Sequence, residues 1–536
     1  MKSHIAIAIS LALATTGATA QTSLSTEVVV DRTIVPDAAN AMRPAGLYPR
    51  TILPEAQRRL PAIAAFDGYG DINRLYSPLS PTCEPALPET STRRGYLDLG
   101  YFPTYKLGLS AGYRILNNEC TRLSVSGQFD GYLYHADDEA ESLLRYNGGR
   151  VNADLDQAIG RGHLLVHADG RYSAYRSAAY DSQSAAGGTL SARWHATAGA
   201  VHYRVGVRGF MDHYGEFTPA GTTTLGYGDI TDRSAGLDAA ATVRIDDSSR
   251  AGVEVKGDWL ATTNATTLGV VGITPYYAYT ARHFTGHVGA EIDLGTGGPG
   301  SKVHVAPEIA GTWTPSGLFA LYLRARGGQC LNALRSLREY TPLMPAIYGL
   351  GRSNVPVDAT IGFNVGPLSD FSLGAFVAWA KATDWQMPYA APVAPLQATD
   401  VTALRAGLTA SYAWRSLLRV SARAEFAQSS ASKAWYEWLD RASSVVNARL
   451  EVNPLAALRI RVDYDWRGDR KILCPGGFTR SLGSRSDLSA GASYAVIADR
   501  LDVFARVENI LSRRYNLLAG IESQGFHGLV GLQVLF

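Results

Sequence analysis

The segment HGLVGLQVLF, residues 527–536, alternates apolar side chains with small or polar ones up to its last position. Every second residue from Val530 to Phe536 is large and apolar, whereas Gly531 and Gln533 fall between them, so the two sets lie on opposite faces of an extended chain. Chain termini are usually polar and poorly ordered. The pattern therefore predicts a strand that is paired along its whole length and ends on Phe536.

The same period of two recurs from about residue 95 onward. It is clear in RLSVSGQFDGYLYH (122–135), VHYRVGVRGFMDH (201–213), LRVSARAEF (418–426) and LRIRVDYDW (458–466), each with one apolar and one polar face. A strand of a soluble β-sandwich is ~5–6 residues long, whereas a strand that crosses a membrane needs ~9–11. The long runs and the charges on their polar face favour a membrane barrel over a sandwich.

The composition agrees with a barrel. Charged residues make up 18% of the chain, the formal net charge is +2, and there are 54 Gly and 28 Tyr. The small net charge gives no reason to expect a nucleic acid partner. The mean hydropathy of −0.05 is too low for a bundle of membrane helices. Dispersed apolar residues with abundant Gly and Tyr are typical of strands that have one face in lipid.

Short turns, such as GRG at 160–162 and WRS at 414–416, alternate with longer loops rich in Gly, Asp and Tyr, such as 328–355. Bacterial barrels have short periplasmic turns and long outer loops. The connections predict an all-β fold, a transmembrane antiparallel barrel of about 22 strands over residues 95–536, an even number within the known range. Phe536 would then lie at the periplasmic rim.

The alternation also predicts which charged side chains point into the lumen. They lie on the face opposite the apolar residues of their strands. The predicted lumen-facing residues are Arg204, Arg208, Arg419, Arg423, Arg459, Arg461, Asp463, Asp465, Arg506 and Glu508.

The N-terminal region differs from the rest. Residues 1–20 have a basic start at Lys2, an apolar run and a small-residue pattern ending at Ala20, which predicts a secretory signal peptide. Residues 21–94 are rich in Pro and have no sustained period, so we expect an extended periplasmic segment without a folded domain of typical size.

The segment LDVFARVENILSRRYNLLAGIESQGFHGLVGLQVLF (501–536) resembles the end of TonB-dependent outer-membrane receptors. The residues that carry the resemblance are Val507, Asn509, Ile510, Leu511, Arg513, Arg514, Tyr515 and Phe536. The resemblance implies a 22-stranded barrel in the outer membrane of a Gram-negative bacterium. It also implies that the barrel-assembly machinery reads Phe536 as an assembly signal.

Two features bear on how such a receptor would work. Receptors of this family carry a plug domain of well over a hundred residues, whereas residues 21–94 are too few for one, so a barrel without a standard plug is expected. The stretch Glu27, Val28, Val29 and Val30 resembles a TonB box, which would pair with a strand of TonB by β-augmentation. The alternative for this stretch is a plain extended tail.

The four cysteines can be sorted by the predicted topology. Cys83 and Cys120 fall on the periplasmic side, whereas Cys330 and Cys474 fall in outer loops. Since export permits disulfides, the pairs Cys83–Cys120 and Cys330–Cys474 are the arrangement that keeps partners on one side. Free thiols are the alternative.

No Ser, His and acid converge into a catalytic set, and no motif indicates a metal or cofactor, so an enzyme is not expected. The leading hypothesis is a barrel that binds or passes a solute across the outer membrane. The alternatives are a non-transporting scaffold within a larger outer-membrane assembly and, less favoured, a barrel hydrolase. The expected partners are outer-membrane lipid, the barrel-assembly machinery and TonB or other outer-membrane proteins.

Overall fold

The computed structural model describes residues 94–536 apart from 103–105, 119, 135–143, 178–180, 218–227, 299–301, 337–350, 369, 389–395, 430–443, 474–478, 519–520 and 524. The predicted signal peptide, the TonB-box-like residues, Cys83 and Cys474 therefore lie outside the described residues.

The described chain is a succession of strands. They are β1 (Gly95–Phe102), β2 (Lys106–Asn117), β3 (Thr121–Tyr134), β4 (Leu144–Ile159), β5 (Gly162–Ser177), β6 (Asp181–Ala198), β7 (Val201–Tyr214), β8 (Ile230–Arg244), β9 (Ser249–Thr262), β10 (Leu268–Thr280), β11 (Phe284–Thr296), β12 (Val303–Ser316), β13 (Phe319–Leu331), β14 (Arg352–Leu368), β15 (Phe371–Pro388), β16 (Leu396–Trp414), β17 (Leu418–Ser429), β18 (Ser444–Leu455), β19 (Leu458–Leu473), β20 (Thr479–Ile497), β21 (Leu501–Glu508), β22 (Asn516–Leu518), β23 (Ile521–Glu522) and β24 (His527–Leu535).

β1 to β21 and β24 form one 22-stranded antiparallel sheet in which neighbours in the chain are neighbours in space. β24 pairs with β21 on one side and with β1 on the other, so the sheet closes on itself. β22 and β23 form a separate two-stranded hairpin in the connection between β21 and β24. The predicted fold class and strand number are confirmed. No helix among the described residues is long and apolar enough to span a membrane.

The seam between β24 and β1 continues through Phe536. The carbonyl oxygen of Phe536 accepts hydrogen bonds from the N–H groups of Arg94 (2.8 Å) and Gly95 (2.7 Å), and its own N–H donates to Gly95 O at 3.0 Å. Its ring stacks on Tyr113 of β2 with the ring centroids 6.3 Å apart. Pairing therefore reaches the residue at which the alternating pattern of 527–536 ends.

Short turns join the strands at one end of the barrel, and residues suited to tight turns occupy them. Gly160 and Gly199 have φ of 62°, and Asp370 has φ of 72°, a region that Gly adopts freely and Asp tolerates. In the turn between β8 and β9, Ser248 donates hydrogen bonds from its hydroxyl and its N–H to Asp246, each 2.7 Å long. These bonds hold the pKa of the Asp246 carboxyl below its ordinary value.

We call this the short-turn end and the opposite one the long-loop end. The short-turn end corresponds to the periplasmic side of bacterial barrels. The two faces of the sheet differ equally clearly. Apolar side chains such as Leu190, Val207, Met211 and Val305 each expose more than half of their surface on one face. We call this the apolar face and the opposite one the polar face.

Candidate functional site

The polar face carries the charged side chains that the sequence assigned to the lumen. Directly opposed residues in neighbouring antiparallel strands lie on the same face. Following these pairs from β7 to β21 puts all ten residues on one continuous face. For example, Arg461 lies opposite Glu451 and Gly491, and Asp463 lies opposite Arg449 and Ser489.

On β7 to β9, the polar face is a network of ion pairs. Arg204 lies 3.3 Å from Asp238 and 3.4 Å from Glu254, which belong to two different strands. Arg208 reaches over β8 to Asp258 on β9, with Nη2 2.6 Å from Oδ1. These pairs tie neighbouring strands together across the polar face.

A second network covers β17 to β24. It includes the pairs Arg423–Glu425 (2.7 Å), Arg449–Asp463 (2.7 Å), Arg461–Asp463 (2.6 Å), Arg467–Asp465 (3.2 Å), Arg485–Asp465 (3.3 Å), Arg506–Glu508 (3.1 Å) and His527–Glu508 (2.8 Å). Arg419 and Arg459 lie on the same face, opposite Glu451 and Ser493. Six of the ten predicted residues therefore form ion pairs here, while Arg419 lies across from an acid.

Residues 332–336, which follow β13, leave the wall and pack against the polar face of β6 to β9; we call them the inward segment. Arg335 makes a bidentate contact with Asp212 of β7, with Nε 2.7 Å from Oδ2 and Nη2 2.9 Å from Oδ1. It also donates to the hydroxyl of Thr189 and to Gly188 O on β6. The Arg335 guanidinium carbon lies 4.1 Å from the centre of the Phe210 ring.

The rest of the inward segment is also fixed. The N–H of Leu334 donates to Asp232 Oδ2 at 2.9 Å, and Leu334 is 1% exposed. Ala333 packs in an apolar cluster with Leu260 and Leu268.

The inward segment shows which face of the sheet lines the interior. The straight path between strands as far apart as β13 and β7 in a closed barrel runs through its interior. The polar face that receives the inward segment therefore lines the interior, and the apolar face lies outside.

Two cavities open along the polar face. One of about 600 Å³ lies between Asp154, His167, Arg193, Arg208 and Asp238 on β4 to β8. The other, of about 340 Å³, lies against β9 to β14, where acidic groups meet basic ones. Its charged lining residues are Glu254, Lys256, Glu291, Glu308, Arg324, Arg326 and Asp358. Both volumes are in the range that holds a small polar molecule.

Sequence reasoning missed the inward segment. Arg335 lies in a stretch, NALRSLRE (332–339), that has no period and resembles any outer loop. Asp212 was not among the ten predicted residues, although its alternation with Val205 and Val207 on β7 puts it on the same face as Arg208. Arg335 and Asp212 are 123 residues apart in sequence, so no local pattern could have predicted their contact.

The Asn509 motif near the end of β21 has a structural role. Asn509 has φ of 48° and is 1% exposed. Its Nδ2 donates to Arg513 O at 2.8 Å, and its Oδ1 accepts from Arg513 N at 3.1 Å. Tyr515 donates its hydroxyl to Asp487 Oδ2 at 2.6 Å, and Arg485 lies over its ring at 5.0 Å. The motif therefore closes the turn after β21 and fastens it to β20.

We expect Asn509→Ala to lower the stability of the barrel by about 2–4 kcal/mol. Two hydrogen bonds at about 1 kcal/mol each are lost, and a non-glycine residue without a polar side chain costs a further ~1–2 kcal/mol at positive φ. The measurement is the temperature at which the heat-modifiable mobility on a gel is lost. The control is Asn453→Ala, which removes one exposed bond to Ser416 O. Equal transition temperatures for the two variants would contradict this role.

The cysteine pairings stay predictions. Cys120 lies in the turn between β2 and β3, where its N–H donates to Asn118 Oδ1 at 3.0 Å. Cys330 lies on β13, with Sγ 3.7 Å from Ser353 O. Their predicted partners lie outside the described residues.

No family model matches the chain, and no curated protein matches it. Solved structures do. The FrpB iron transporter from Neisseria meningitidis (F3-3 variant) is 10% identical with a TM-score of 0.65, covering 83% of this chain and 82% of that one. The siderophore receptor PirA from Acinetobacter baumannii is 8% identical with a TM-score of 0.65, covering 84% and 81%.

A third similar structure is the copper transporter OprC, 12% identical with a TM-score of 0.62, covering 84% of this chain and 81% of that one. At this level of identity the likeness concerns the fold, and it extends over most of both chains. It agrees with the 22-stranded closed sheet. The chain therefore shares the closed-barrel fold of TonB-dependent outer-membrane receptors.

Proposed function

We propose that this protein binds a small polar solute at the outer membrane of a Gram-negative bacterium and passes it through the barrel. The observation that carries the proposal is the ion-paired polar face, whose two networks cover β7 to β9 and β17 to β24 inside the barrel. Removing a charge from water costs several kcal/mol even when it is paired. So many charged groups on one inner surface therefore favour a lumen that contains water.

The similar structures support a transport role, since they are described as an iron transporter, a siderophore receptor and a copper transporter. In this role the protein binds the solute and lets it pass, and it catalyses no reaction. In this proposal TonB pairs with the stretch Glu27, Val28, Val29 and Val30, and the barrel-assembly machinery inserts the barrel.

The test is the conductance of the purified protein in planar lipid bilayers. We expect discrete current steps, since a 22-stranded barrel has a lumen wide enough to conduct unless it is filled. Heat-modifiable mobility shows whether the barrel is folded. If folded protein never conducts, even after deletion of residues 21–93, passage is contradicted and the scaffold alternative is favoured.

Deletion of residues 21–93 should raise the conductance, because a barrel of this width needs contents and these residues are the natural candidate. The deletion should stop before Arg94, whose N–H bonds Phe536 O and whose carbonyl accepts from Arg114 N at 2.7 Å. The control replaces residues 21–93 with a Gly- and Ser-rich linker of equal length. An unchanged conductance after the deletion would show that these residues do not fill the lumen.

A further inference from the structure

The apolar face of β3 to β9 carries charge at one end only. Its outward positions are occupied mainly by Ala, Val, Leu, Gly and aromatic residues, as the opposed pairs of these strands show. Within the described parts of these seven strands, Arg145, Arg176 and Arg233 are the Lys, Arg, Asp or Glu residues that point outward. All three are exposed, and all three lie at the long-loop end.

Two of these arginines are direct neighbours. Arg145, near the start of β4, lies opposite Arg176, near the end of β5. Like charges directly opposite each other in a sheet are destabilising, and neither arginine forms an ion pair with another described residue. Arg145 also lies opposite Leu133 of β3, and Arg176 opposite Ser182 of β6. Their immediate cross-strand neighbours therefore supply no negative charge to offset the repulsion.

Outward aromatic side chains indicate at which depth of the membrane the arginines lie. Tyr172 lies four residues before Arg176 on the same face and is half exposed, about 13 Å away along the strand. Trp259 of β9 lies one outward position below Ala261, which is opposite Arg233. Outward aromatic residues mark the boundary between hydrocarbon and headgroups in membrane barrels. The arginines thus stand at the level of the headgroups of the outer leaflet.

We propose that Arg145 and Arg176, with Arg233 farther round the wall, bind the phosphate groups of lipid A in the outer leaflet. Guanidinium groups bind phosphate in a bidentate manner and stay charged at any physiological pH. A phosphate between Arg145 and Arg176 converts their repulsion into a shared attraction. Phospholipid headgroups form the periplasmic leaflet of this asymmetric membrane and would call for outward basic residues at the short-turn end of these strands. The restriction to the long-loop end therefore points to a phosphorylated lipid of the outer leaflet alone.

The test is titration of detergent-purified full-length protein with bis-phosphorylated lipid A, with the bound fraction read by native mass spectrometry. At about 1 kcal/mol for each arginine near an anionic surface, the double variant Arg145→Gln/Arg176→Gln should bind roughly 30-fold more weakly. The control is Arg150→Gln, the same substitution on the same strand but on the polar face, where Arg150 lies 3.8 Å from Asp169. It should bind lipid A as the parent protein does.

Three outcomes would overturn the proposal. The first is equal lipid A affinity for the parent and the double variant. The second is equal affinity of the parent for phosphatidylglycerol, which would indicate a response to any anionic lipid. The third is a lower unfolding temperature of the double variant in the absence of lipid A, which would assign the arginines to contacts within the protein. A weaker affinity for monophosphoryl lipid A than for the bis-phosphorylated form would support it.

Discussion

Replacing Arg335 with Ala is expected to increase the conductance of the barrel and the fluctuations of the current through it. Arg335 holds the inward segment to β6 and β7 through Asp212, Thr189 and Gly188. Hydrogen bonds to a charged partner are worth ~1.5–3 kcal/mol. Since Arg171 still neutralises Asp212 in the variant, a net loss of about 2–3 kcal/mol is reasonable. The equilibrium ratio of docked to undocked inward segment would then fall roughly 30- to 150-fold.

Single-channel recording measures this effect, and hydrogen exchange of residues 332–336 reports the release of the segment directly. The matched control is Arg208→Ala, which removes another polar-face arginine and its pair with Asp258 but leaves the inward segment in place. A double-mutant cycle with Asp212→Asn should show strong coupling to Arg335. Similar changes in the two single arginine variants, or no change in exchange, would show that the inward segment does not narrow the lumen.

Loss of Phe536 is expected to reduce the amount of barrel in the outer membrane severalfold, while the barrels that do assemble conduct normally. Burial of a whole Phe side chain contributes ~1.5–3 kcal/mol, but the Phe536 side chain remains 56% exposed. Its direct contribution to stability is therefore about 1 kcal/mol. A large drop in assembled protein would exceed what this energy explains and would assign Phe536 to recognition during assembly.

The measurement compares Phe536→Ala with the parent by immunoblotting of outer-membrane fractions, with heat-modifiable mobility to score folding. Phe526→Ala is the control, because Phe526 is similarly exposed but lies just before β24 rather than at the seam. Equal levels of the Phe536 and Phe526 variants in the outer membrane would refute the assembly role. A lower unfolding temperature of the Phe536 variant, large enough to account for its lower level, would instead assign the ring to the seam.

The alternation of side chains was sufficient to predict the strands and their number. Period two is a local property, so it survives in the sequence wherever one face meets lipid and the other meets water. The turns were equally readable, because residues such as Gly160 and Gly199 occupy positive φ where the chain reverses. The same rule selected Arg461, Asp463 and their counterparts for one face, and the opposed pairs of β18 to β20 place them together.

The inward segment and the outward arginines could not be predicted in the same way. Arg335 and Asp212 are far apart in sequence, and nothing in either neighbourhood marks the other. Arg145 and Arg176 each interrupt the apolar face of their own strand, but they form one pair of adjacent charges only because the two strands set them opposite each other. Which residues face each other depends on the register of two strands, and a single sequence does not state the register.

The sequence by itself determined that this protein is a barrel of about 22 strands with a polar interior, because each strand must separate lipid from water along its own length. The closure of β24 on β1 follows from that barrel and is confirmed. Tertiary structure alone decided that Asp212 receives Arg335 and that two arginines meet on the outer surface. The physical reason is the range of the interactions. Solvation of a strand face acts residue by residue, whereas an ion pair or a charged patch exists only after strand register and folding have fixed which residues lie next to each other.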